Sequence, residues 1–205
     1  MAALVIVMSV MNGFRAELFD KIVGLNGHAI VQGYDGRLGN WQQIAEQAKK
    51  TPGVTSALPL IEQPLMASAN GRVEGVLVRG MRVADIRSNP VINEHVQSGD
   101  LRTLTPGSNR VAIGTRLAEA LGAFPGSEIS LISPEGRSTV VGTVPRIVSY
   151  TVAATFEVGV YDYDKAFVIM PMEDAQHQQG LGVLHRHDRS PVQRPGQDQP
   201  DPGAA

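Results

Sequence analysis

The sequence predicts an α+β fold in which an alternating start gives way to a β-rich middle. Three observations lead there. Asn70-Gly71 separates two strand-like runs, the strongest short-range signal for a tight hairpin. Ahead of it lies a strand–helix–strand pattern of about the length at which a crossover becomes possible. Behind it, short β-branched runs follow one another between Glu128 and Met170.

Taken in order, the chain begins with an apolar run, Met1 to Met11, that passes through Asn12-Gly13 into the amphipathic stretch FRAELFDKIVG. The pattern is that of a membrane helix leaving the bilayer. A hydrocarbon core needs about 20 apolar residues, and this run supplies barely half. Either the span is truncated or it is not one; a buried helix of a soluble domain is the bland alternative. No Lys or Arg precedes the run, so its charge order is wrong for a secretory signal. Phe14, Leu18 and Ile22 recur at helical spacing, and Glu17 stands four residues ahead of Lys21, so the helix is expected to continue with one apolar stripe.

HAIVQ reads as a strand, and Asn40 as the N-cap of the helix WQQIAEQAKK, which Pro52-Gly53 ends. VTSALPLI is a second strand candidate. QPLMASA and RVEGVLVRG flank Asn70-Gly71 as a β-hairpin. Two short helical patches follow, with Asn89-Pro90 opening the second and Gly99 closing it. NRVAIGTRLAEALG is a strand and a helix, with Gly122 as terminator. EISLIS, a turn at Pro134-Glu135-Gly136, RSTVV, the long run IVSYTVAATFEV and AFVIM complete the β-rich block. PMEDAQ starts as a helix, with Pro171 in its first turn and Glu173 and Asp174 favouring its N-terminal dipole. From Gln176 onward the chain has four prolines, no aromatic and few apolar residues, so residues 176–205 are expected to be disordered, with the look of a frameshifted or artificial end.

Composition narrows the function. The 205 residues are 42% hydrophobic and 19% charged, which is globular, and the length suffices for one large or two small domains. A net charge of -2 without a basic block gives no footprint for nucleic acid. The absence of cysteine excludes disulfides, thiolate metal sites and a Cys nucleophile, and fits any compartment.

Candidate catalytic groups are weak. There is no GxSxG elbow and no HExxH pair, and AIGTRLAEA lacks the second Gly and the Lys-Ser/Thr of a phosphate loop. Arg116 at the start of that helix could meet an anion, but an ordinary solvated arginine is favoured. His28 and His95 stand alone and read as packing residues. His185 and His187 with Asp188 have metal-like proximity, but in the suspect tail adventitious binding is the favoured reading. Asp162 and Asp164 alternate as on a strand; without a nearby histidine or nucleophile they read as a solvated turn. No catalytic residue, metal or cofactor is assigned.

The segment 139–147, TVVGTVPRI, is different. Gly142 and Pro145 permit a sharp, stiff excursion between two strand-like runs, and Val140, Val141, Val144 and Ile147 make its tip apolar. An exposed apolar loop on a hairpin presents a docking element, yet the same valines could fold inward as core. On chemistry alone the two readings stand level.

SVMNGFRAELFDKIVGLNGHAIV, the RGM after the Asn-Gly hairpin, VAIGTRLAEALG and GTVPRIVSYTVAATFEVGVYDYDKAFVIMPMEDAQ together resemble the LolC/LolE permease family of the lipoprotein-releasing ABC transporter, over roughly residues 3 to 176. The resemblance implies a periplasmic domain of the macrolide-exporter type, with a mixed α/β subdomain, incomplete here, and a β-rich subdomain. On that reading residues 1–24 are the end of the first membrane helix and its extension, 25–63 the first part of the mixed subdomain, and 64–175 the β-rich subdomain. It implies an inner-membrane protein of a Gram-negative-type envelope, non-catalytic, with this region mostly periplasmic. It further implies a hairpin, the Hook, that recruits the periplasmic chaperone LolA, which receives the extracted lipoprotein. The Hook falls on Thr139, Val140, Val141, Gly142, Thr143, Val144, Pro145, Arg146 and Ile147, and tips the level reading of that loop toward docking. Met8, Met11, Phe14 and Leu18 are placed beside the membrane and the lipoprotein. A LolD-type ATPase subunit and a second permease copy or paralogue are the implied partners in the full-length protein. The return segment of the mixed subdomain is replaced by the Pro/Gln-rich tail, so residues 25–62 are expected to be poorly packed. The alternative is a mechanical transmission domain of another exporter of the same architecture, without a chaperone.

Overall fold

The structure, a computed structural model, describes Met8 and residues 25–33, 38–139 and 142–178, with the backbone alone for 134–139 and 142–144. Val140 and Val141, Met11 of the membrane-side set, the stripe Phe14, Leu18 and Ile22, and the tail beyond Gln178 lie outside the described residues.

Helix α1 (Trp41–Lys49) is amphipathic yet buries none of its residues. Asn40 precedes it without a side-chain capping bond, so the expected N-cap is not made. HAIVQ is irregular rather than a strand, with Ile30 59% and Val31 64% exposed. Extended backbone needs a partner for its N–H and C=O groups, and among the described residues no strand pairs there. VTSALPLI becomes a strand only at Leu60.

Strands β1 (Leu60–Ala69) and β2 (Arg72–Met81) form the expected antiparallel hairpin, Ala69 opposite Arg72. Asn70 and Gly71 both take positive φ, +50° and +75°, as the tight primed turn requires. Two short helices follow, α2 (Val83–Ser88) and α3 (Pro90–Asn93), the second capped by the Asn89 side chain accepting from Val91 N at 2.9 Å. Gly99 does not close it; that helix ends at Asn93, and Gly99 ends strand β3 (Val96–Gly99). A 3-10 turn (Leu101–Thr103) leads to β4 (Arg110–Gly114) and α4 (Thr115–Leu121), with Gly122 left-handed at its end. Then come β5 (Glu128–Thr139), β6 (Gly142–Phe156), α5 (Tyr161–Ala166), β7 (Phe167–Pro171) and α6 (Met172–Gln178).

Three expectations change in this half. Pro134-Glu135-Gly136 is not a turn ending one strand but lies inside β5. Asp162 and Asp164 sit in a helix rather than a strand, and Asp164 is 1% exposed, not solvated. Pro171 ends β7 instead of opening α6, which runs on to Gln178.

The strands pair in the order β3-β6-β4-β7-β2-β1-β5, and β5 pairs again with β6, so six of the seven close into a ring with β3 outside it. The ring is mixed: β2 with β7 and β4 with β6 are parallel, the rest antiparallel. Alternation sorts its side chains into two cores. Leu65, Val78, Ile113, Ile129, Leu131 and Met170 face one cluster, which α4 completes with Leu117 and Leu121. Ala112, Ala154, Phe156 and Ile169 face the other, covered by Ile86, Ile92 and Leu104. Strand β7 is buried throughout because both cores use it, which explains its unbroken apolar run.

Candidate docking hairpin

β5 and β6 are the longest strands, 12 and 15 residues. β1 pairs with β5 only across Ser130–Ile132, and β4 pairs with β6 only from Thr151 onward. Beyond those positions, among the described residues, the two strands pair with each other alone, from Ser133 opposite Arg146 to Thr139 opposite Gly142. A two-stranded arm therefore stands off the ring, about 20 Å long at ~3.3 Å per residue.

The register slips within it. Ser133 faces Arg146 but Arg137 faces Val144, so three residues of β5, Pro134 to Gly136, stand opposite the single Pro145. Neither proline has an N–H to give a ladder, and a bulge is where a sheet tolerates that. The bulge twists and bends the arm locally.

Of the sequence-predicted docking residues, Thr139 and Gly142 to Arg146 fall on this arm, Ile147 lies at its root opposite Ile132, and Val140 and Val141 lie outside the described residues. Thr139 ends β5, while Gly142, Thr143, Val144, Pro145, Arg146 and Ile147 lie in β6. Pro145 is exposed, Ile147 is 59% exposed, and Arg146 is half-buried on the opposite face of the strand. Met8, the described member of the membrane-side set, is 62% exposed.

The other candidates resolve individually. Arg116 lies over the Tyr161 ring, its Cζ 4.8 Å from the centroid. Asp164 accepts from Val158 N at 2.7 Å and Gly159 N at 3.0 Å, holding the turn before α5. His28 is exposed; His95 is part-buried with Nδ1 unpartnered. Among the described residues no group of His, Asp and Glu could hold a metal ion.

Two polar centres escaped the sequence reading. Arg79, 4% exposed on β2, donates to Glu62 Oε1 at 2.7 Å and to Leu25 O at 3.0 Å, and also to Asn26 Oδ1. Its Cζ lies 4.2 Å from the Phe167 centroid, and Phe167 stacks on Tyr163, which accepts from Asn26 Nδ2. A lone arginine in the apolar run VLVRGM is the signal that could have found it. The second centre is at the root of the arm. Arg146, Val148 and Tyr150 share a cleft of about 330 Å³ with Asp174 and Gln178 of α6. Burial pushes the Tyr150 hydroxyl up to about 12, with Asp174 adding to the rise and Arg146 opposing it.

The family model described as the MacB-like periplasmic core domain matches residues 1–191. The lipoprotein-releasing system transmembrane protein LolC of Neisseria meningitidis serogroup B is 30% identical over 187 residues, 91% of this chain and 44% of that protein. LolC of Xylella fastidiosa is 29% identical over 173 residues, 84% of this chain and 42% of that protein. The chain thus spans less than half the length of these curated relatives. The crystal structure of the extracellular domain of the noncanonic ABC-type transporter YknZ from Gram-positive bacteria covers 68% of this chain and 66% of its own, at 14% identity and a TM-score of 0.46.

Proposed function

The chain belongs to the MacB-like periplasmic core domain family, and on that premise we propose that it is the periplasmic part of a non-catalytic subunit of a lipoprotein-releasing ABC permease. In this reading the β5–β6 arm is the docking element for a LolA-type chaperone, which takes over lipoproteins drawn from the inner membrane. A LolD-type ATPase subunit and a second permease copy or paralogue complete the assembly, and hydrolysis belongs to the ATPase. Residues Thr139 to Ile147 carry the contact.

The observation that supports it is the arm itself, whose outer part pairs with no other strand among the described residues. Strand pairing that stabilises no neighbour leaves its tip available to a partner, and the sequence of that tip is apolar. A few buried apolar residues would supply most of the affinity, with the polar rim setting orientation. The test is capture of purified LolA by the chain, beside a variant carrying Val141→Asp and Val144→Asp. Because the arm's outer part pairs only with itself among the described residues, the variant is expected to keep its melting temperature within ~2 °C, the scale of a surface substitution. It should lose at least tenfold in LolA binding. A folded parent that ignores LolA would sink the docking role.

A transmission role without a chaperone has an observation of its own. Arg79 grips Leu25 and Asn26, the residues that follow the N-terminal segment, so displacement of that segment would pull directly on β2. A folded parent that ignores LolA, with transport lost when Arg79→Met is placed in the full-length permease, would favour that reading.

A further inference from the structure

Asp174 is the polar group at the arm's root that the docking reading does not use. It is 3% exposed and lines the cleft with Arg146, Val148, Tyr150 and Asn109. Its Oδ1 accepts from Gly107 N at 2.8 Å, while Oδ2 is buried without a hydrogen-bond partner. Two neighbouring polar groups are engaged elsewhere: the Tyr150 hydroxyl donates to Gln178 Oε1 at 3.2 Å, and Gln178 Nε2 donates to Leu131 O at 3.4 Å. Arg146 and His177 also line the cleft, and neither donates to Oδ2. Nearly all buried polar atoms find a partner, so an orphaned carboxylate oxygen beside an open cavity marks the place of a missing donor.

We propose that this cleft binds a primary ammonium group on a short alkyl stem, the ammonium donating to Asp174 Oδ2 and the stem lying against Val148 and the Tyr150 ring. Size, charge and valence select that class. A volume of about 330 Å³ holds a four-carbon amine with room to spare. A buried carboxylate calls for a cation, and its apolar neighbours call for a stem. A guanidinium is the poorer fit because its planar fork wants two free oxygens, and Oδ1 is committed to Gly107. Consistent with that, Arg146 lines the same cleft and makes no ion pair with Asp174 among the described residues. A compact ammonium needs one free oxygen. The site stands apart from the docking reading and does not depend on it.

The same group is carried by a free amine and by a lysine side chain, so both serve as probes. Butylamine is titrated into the full chain and followed by amide shifts of Gly107 and Asn109, with 1-butanol as the neutral isostere. Saturable binding of butylamine, at least tenfold tighter than butanol, is expected. Asp174→Asn, checked for fold by circular dichroism, should abolish that preference, and Arg146→Gln, which removes a repelling cation, should strengthen it. N-acetyl-lysine amide binding more tightly than butylamine would support a polypeptide as the source; the reverse order would support a free amine. Equal binding of amine and alcohol, or a preference that survives Asp174→Asn, would overturn the site.

Discussion

At the scale of single residues, Arg79 and Asp174 are buried charges treated in opposite ways. Arg79 is admitted to the interior because its guanidinium finds Glu62, the Leu25 carbonyl, Asn26 and the face of Phe167. Arg79→Met should cost about 2–3 kcal/mol in urea denaturation, below the range for a fully buried pair because Glu62 keeps some contact with water. Asp174 is half-satisfied, and burial, more than Glu173, holds its carboxyl above the usual range while Gly107 N and His177 pull it down. An acid whose folded pKa lies above its unfolded value binds protons more readily in the fold. Its ionisation therefore costs stability as pH rises from the ordinary aspartate value of 3.8 through the raised one, and the cost is full above that. Asp174→Asn keeps an acceptor for Gly107 and removes the charge, so the variant should be more stable than the parent at pH 7. The gain should shrink as pH falls toward 4. Melting curves across that window check it, and a gain that grows on acidification would contradict the stated cause.

At the scale of elements, the hairpin turn does more than reverse the chain. Asn70 Nδ2 donates to Leu121 O at 3.1 Å and Gly122 O at 2.8 Å, and Arg72 donates to Glu119 O and Ala120 O, so the turn caps the C-terminal carbonyls of α4. Asn70→Ala should cost about 1–3 kcal/mol, since it removes two hydrogen bonds and puts a Cβ-bearing residue without a polar side chain at φ +50°. Chemical denaturation measures it; a neutral result would mean that water satisfies those carbonyls equally well. That turn was legible in the sequence because Asn-Gly is a local signal, and so were α4, its glycine stop and the buried run of β7. HAIVQ was not, because a strand is made by its neighbour and no local pattern reports that none is there. The turn expected at Pro134-Glu135-Gly136 failed for the same reason: prolines and a glycine that would end an isolated strand are accommodated as a bulge once Pro145 stands opposite. The arm proposed for docking was singled out by the apolar sequence of its tip and by family resemblance. The Asp174 cleft, which joins residues 107, 146 and 174, has no local signature at all.

At the scale of the whole molecule, closure of the ring divides the chain into a part that can protect its amides and a part that cannot. Each of the six ring strands has a neighbour on both sides, and two apolar clusters pack against them, the second on β4, β6 and β7. Opening an amide there requires breaking packed structure. Among residues 25–59, by contrast, no described side chain is buried. Helix α1 has nine residues, short of the ~12–15 at which even a favourable isolated helix becomes marginal in water, and none of its residues is buried. Among the described residues, the side-chain hydrogen bonds that tie this stretch to the ring are those of Arg79 to Leu25 and Asn26 and of Asn26 to Tyr163, all at its first residues. Hydrogen exchange should therefore be fast across 41–50 and slowest in β4, β7 and the inner half of β6. The difference should reach several orders of magnitude, because local opening of α1 is nearly free while opening β7 approaches global unfolding. Protection of 41–50 equal to that of 110–114 would mean that α1 is packed in solution against something, and its amphipathic face would then be the place to look for the partner.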